Sequence, residues 1–202
     1  MKNYLALGDS YTIGEQVSPA ESFPFQTVEL LRRKGIPVAQ PRIIATTGWT
    51  TDELLGAMDE ARITDTYALV TLLIGVNNQY RNRAVANYEK EFTELLRRAV
   101  VHAGGKAKRV VVLSIPDWGV TPFAHDRNRE KIHAEIDAYN AAAQKIVAAT
   151  GAYWLNITDS TREHGANSDW LAPDGLHPGG KEYGVWAVRL APVAARILDS
   201  GE

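Results

Sequence analysis

Residues 68–74 read Ala68-Leu69-Val70-Thr71-Leu72-Leu73-Ile74, an almost unbroken apolar run that stops at Gly75-Val76-Asn77-Asn78. A run this short, closed by a turn signal, reads as a strand buried on both faces. Residues 2–7, 42–45, 109–114 and 152–155 have the same character. Between these runs the apolar residues recur at helical spacing, as in Val85, Tyr88, Phe92, Leu95 and Ala99, and again in Ile132, Ile136, Tyr139, Ala143 and Ile146. Thr50-Thr51-Asp52-Glu53 fits a capping box, and Ser22-Phe23-Pro24 places proline in a first turn. A last helix is expected from about residue 181 to 198, kinked or interrupted at Pro192. Strand and helix alternate five times, which predicts a three-layer α/β/α sandwich around a five-stranded parallel sheet.

Composition narrows the function classes. The 202 residues suit a single domain, residues 1–202, with no linker or repeat. Lys and Arg number 22 against 24 Asp and Glu, so the chain lacks the basic footprint that nucleic-acid binding requires. Cysteine is absent, which removes thiolate metal sites, disulfides and a cysteine nucleophile. No apolar run reaches the ~18–20 residues of a membrane span, and the N-terminal apolar stretch ends at Gly8-Asp9-Ser10. A cytoplasmic location without an integral membrane segment is the expectation.

In an open parallel sheet, ligands gather beyond the carboxyl ends of the strands. The segments there are Gly8-Asp9-Ser10-Tyr11, Thr46-Thr47-Gly48-Trp49, Gly75-Val76-Asn77-Asn78 and Pro116-Asp117-Trp118, followed further on by Pro173-Asp174-Gly175-Leu176-His177-Pro178. Each alone has an ordinary reading: a turn followed by an N-cap, a turn glycine, capping asparagines, an Asp-Gly turn. Together they supply a hydroxyl nucleophile, an imidazole base, a carboxylate to hold it and donors for an oxyanion. His125-Asp126 is the rival pair, whereas His102, His133 and His164 read as surface residues.

The order Ser10, Gly48, Asn77, Asp174 and His177, in these contexts, resembles the SGNH hydrolases, also called the GDSL esterase/lipase family. The resemblance runs from residue 8 to residue 177, and Asp174-Gly175-Leu176-His177-Pro178 is its most specific piece. Two positions depart from the family: Tyr11 stands where it has Leu, and Asn78 where it commonly has Asp. The resemblance implies a flavodoxin-like SGNH hydrolase fold and a carboxylic ester hydrolase with Ser10, Asp174 and His177 as catalytic residues. It further implies an oxyanion hole from the Ser10 and Gly48 N–H groups and the Asn77 amide. No metal or cofactor is implied.

Trp49, Trp118 and Trp170 fall in loops expected to ring the site, with Tyr11, Tyr80 and Phe123. They are candidates to line a substrate groove, or to pin long loops onto the sheet. The expected partner is a small-molecule ester with a short-to-medium acyl chain, as for a lipase-like or lysophospholipase-like acylhydrolase. The alternatives are a carbohydrate O-acetyl esterase and a degenerate α/β module that binds without cleaving.

Overall fold

The computed structural model describes residues 1–199. Five strands, β1 (Tyr4–Gly8), β2 (Arg42–Ala45), β3 (Leu69–Leu73), β4 (Val110–Leu113) and β5 (Tyr153–Leu155), form one sheet in the order β2-β1-β3-β4-β5. All neighbours are parallel, with Leu5 beside Arg42, Tyr4 beside Leu69, Val70 beside Val110 and Val111 beside Tyr153. The central strands β1, β3 and β4 are buried along their whole length, which is why each reads as a continuous apolar run. Thr71, the one polar residue in β3, is buried because its hydroxyl bonds to the Tyr4 phenol at 2.9 Å across the β1–β3 pair. Edge strands β2 and β5 are only partly buried.

The helices are α1 (Ser10–Ile13), α2 (Phe23–Arg33), α3 (Thr51–Glu60), α4 (Val76–Tyr80), α5 (Val85–His102), α6 (Arg129–Thr150), α7 (Thr158–His164) and α8 (Gly180–Asp199). They cover both sides of the sheet, giving the three-layer sandwich, with α2 packed on α8 and α5 between α3 and α6. The Thr50 capping box forms as expected: Glu53 Oε2 accepts the Thr50 N–H at 2.8 Å and its hydroxyl at 2.9 Å. The expected interruption at Pro192 does not occur. Helix α8 passes through it, because Pro192 lies on the exposed side and the carbonyl it frees belongs to Val188, itself 61% exposed. Strand β1 also starts two residues later than expected, since Lys2 makes only an isolated bridge to Val38.

This strand order reverses direction between β1 and β3, and the crevice above that reversal is where such sheets bind ligands. Ser10 follows β1, and Asn77 follows β3. Among the described residues, no helix is long and apolar enough to cross a membrane.

Candidate active site

Strand β1 ends at Gly8, where a Cβ would collide with the Thr12 hydroxyl and the Leu73 carbonyl oxygen. Glycine therefore lets the chain turn at once from strand into α1. Asp9 caps that turn, its Oδ1 accepting the Tyr11 N–H at 3.0 Å. The turn-and-cap reading of Gly8-Asp9-Ser10 thus holds, and it is also what aims Ser10. Ser10 heads the turn, where N–H groups lack an intrahelical partner.

Ser10 Oγ lies 3.0 Å from His177 Nε2, although 167 residues separate the two. On the other side of the ring, His177 Nδ1 is 2.6 Å from Asp174 Oδ2. Asp174 Oδ1 accepts the backbone N–H groups of Leu176 and His177, both at 2.9 Å, so the carboxylate also shapes the loop that carries its partner. That loop is pinned by the Ala172 N–H to the His177 carbonyl at 2.8 Å and by the Phe123 N–H to the Gly175 carbonyl at 3.1 Å. Partial burial disfavours the charge on Asp174, but the bonds from the His177 ring and the two backbone N–H groups outweigh it. Its carboxyl is held below the usual value. Hydroxyl, imidazole and ionised carboxylate stand in series, the arrangement by which a base withdraws a hydroxyl proton.

Gly48 occupies a turn closed by the Trp49 N–H to the Thr46 carbonyl at 3.2 Å, and its φ is +85°. A positive φ at the third position marks a type II turn. The position demands glycine for that φ. An added Cβ would meet only the Arg81 guanidinium at 3.7 Å, so lack of space is not the reason. Asn77, on α4, donates from Nδ2 to the Trp49 carbonyl at 2.9 Å. That orients the amide and leaves its second N–H available. Asn78 is buried and takes up loop support, exchanging bonds with the Thr51 N–H at 3.1 Å and hydroxyl at 2.6 Å.

Residues 6–184 match the GDSL-like lipase/acylhydrolase family. The chain belongs to that family. As a member it is a carboxylic ester hydrolase. No curated protein matches the chain in sequence. Among solved structures, the hydrolase is similar to TesA, with a TM-score of 0.76 at 16% identity over 97% of this chain and 99% of the other. It is likewise similar to a lipase/acylhydrolase from Enterococcus faecalis (0.73, 21%, 97% of each chain) and to the acetyl xylan esterase AlAXEase (0.73, 14%, 93% and 97%).

Beside Ser10 and His177, the GDSL hydrolase has a hollow of about 240 Å³ walled by Tyr11, Val76, Tyr80, Trp118, Phe123 and Leu176. Trp118 is held rigidly: its indole N–H donates to Gln79 Oε1 at 2.8 Å, and Gln79 donates to Glu135 at 2.7 Å. Two of the expected groove residues lie elsewhere. Trp49 packs against the edge of the core and offers only its carbonyl to Asn77. Trp170 stacks on His164 at 3.8 Å, nearly parallel, with the Lys181 ammonium 5.8 Å from its ring centre. Two histidines expected at the surface are tied to buried carboxylates instead, His133 to Asp117 at 2.6 Å and His164 to Glu182 at 2.7 Å. The rival pair His125–Asp126 is an exposed contact on the surface.

Sequence reasoning missed what the hydrolase does with Asp9. Its Oδ2 is buried without a hydrogen-bond partner, and burial pushes the carboxyl up to about 7. An unfolded chain releases this proton near the ordinary carboxylate value. The folded chain therefore holds the extra proton between that value and about 7, and stability falls as pH rises through this window. One pKa unit corresponds to about 1.4 kcal/mol, so the loss reaches a few kcal/mol above pH 7. Asp9→Asn keeps the cap to Tyr11 and cannot ionise. Thermal unfolding should show the variant more stable than wild type at pH 8 and matched to it near pH 4. An equal difference at both values would refute the burial of an ionisable Asp9.

Proposed function

We propose that the protein is a serine esterase that cleaves esters of short-to-medium acyl chains through an acyl-enzyme on Ser10. The observation that carries this is the hydrogen-bonded series Ser10–His177–Asp174 opening onto an apolar hollow. Ser10 Oγ attacks the acyl carbonyl while His177 Nε2 takes its proton and passes it to the leaving alcohol. Asp174 steadies the imidazolium, and water then repeats the sequence on the acyl-enzyme. Ser10 N–H, Gly48 N–H and the free Asn77 N–H stabilise the oxyanion.

Hollow size supports the acyl range. A hollow of about 240 Å³ suits a short or medium acyl chain rather than a long one. With p-nitrophenyl esters, kcat/KM should peak between acetate and octanoate and fall for longer acids. Trp118→Ala, which removes a rigid wall, should move the peak to longer chains. Absence of hydrolysis across the whole series would overturn the esterase reading, and an unmoved peak would overturn the wall. Tyr80 and Phe123 are 45% and 40% exposed at the mouth, and such rings also stack on sugars, so acetylated xylan belongs in the same panel.

A further inference from the structure

Gly48 adopts a positive φ readily, but glycine adopts the mirror conformation as readily. The turn's closing bond, Trp49 N–H to Thr46 carbonyl, fixes the turn internally but not where the turn as a whole sits against α4. Something outside the turn has to hold it.

Arg81 lies directly after α4 and four residues beyond Asn77, so the two side chains share one face. Its Nη2 donates to the Gly48 carbonyl at 2.7 Å, while Asn77 Nδ2 donates to the next carbonyl, that of Trp49. The other end of the guanidinium faces Glu53 Oε2 at 3.4 Å, and Glu53 is itself fixed by the Thr50 capping box. Arg81 and Glu53 are both more than 40% exposed on their side chains, and an exposed pair of this kind adds little to stability. A planar fork that spans a carbonyl and a carboxylate is instead suited to fixing a position.

We propose that Arg81 is a positioning residue that latches the Gly48 turn, so that the Gly48 N–H and the Asn77 amide face one oxyanion together. It acts through Gly48 and touches no reacting atom. The proposal rests on the esterase reading for its effect on turnover, but not for its effect on the turn.

Two measurements on Arg81→Met test it, with Arg83→Met as the control. Arg83 pairs with Asp52 in the same region and holds neither carbonyl. On p-nitrophenyl acetate, kcat should drop roughly tenfold with KM and Tm nearly unchanged, since small misplacements of catalytic groups act on the transition state. Arg81→Lys should recover part of the loss, and Arg83→Met should behave as wild type. In the same variant, amide hydrogen exchange at Trp49, whose N–H closes the turn, should be at least about fivefold faster. Unchanged exchange, an unchanged kcat beside an active wild type, or an equal kcat loss in Arg83→Met would each overturn the latch. A wild type that cleaves no ester defeats the esterase reading and with it the turnover claim, and the exchange rate alone then decides whether Arg81 holds the turn.

Discussion

Alanine at Ser10 is expected to lower kcat on p-nitrophenyl acetate by more than ~10⁴-fold while leaving the fold intact. The hydroxyl's bond to His177 is the link through which the imidazole would activate a nucleophile. Removing it leaves His177 Nε2 beside a hollow rather than sealed in the core, so the stability cost is that of one hydrogen bond, about 1 kcal/mol. His177→Ala should be similarly severe, and the double variant no worse than either single one, because residues acting as one unit do not add. Steady-state kinetics with circular dichroism of each variant makes the check. A Ser10→Ala protein within tenfold of wild type would remove Ser10 from the reaction.

The second large effect concerns the oxyanion. Asn77→Ala should cost ~10²–10³-fold in kcat with little change in KM, the usual consequence of losing one preorganised donor. Gly48→Val should act in the same direction for a different reason. A β-branched residue is badly strained at φ +85°, so the turn must adopt a negative φ and rotate its middle peptide. Each substitution tests one of the proposed oxyanion donors. If either retains wild-type kcat, that residue does not face the oxyanion.

The layers of the fold were readable because β1, β3 and β4 are buried on both faces and their apolar runs are too short for a buried helix. Asp174 and His177 were readable because they stand three positions apart in the Asp-Gly-Leu-His-Pro stretch that carries the family resemblance, and one loop presents both. Trp49, Trp118 and Trp170 carry the same signature, an indole in a segment expected to ring the site, yet of the three only Trp118 reaches the hollow. What distinguishes them is a partner distant in sequence: Gln79 for Trp118 and His164 for Trp170. The same holds for His133 and His164, whose carboxylate partners lie 16 and 18 residues away. Arg81 reaches Gly48 across 33 residues and belongs to no motif the sequence displays. Local chemistry is written in spacing, whereas side-chain direction depends on what the folded chain brings alongside.

The 167-residue separation between Ser10 and His177 also bears on how the protein comes into being. Contacts this remote form late, after the entropy of closing a very long loop has been overcome. Under the proposed mechanism, a chain emerging from the ribosome displays its hydroxyl early, but has no base to sharpen it until the region beyond residue 170 has docked beside β1. A half-made chain is therefore chemically quiet, and reactivity arrives only with completion of the tertiary structure.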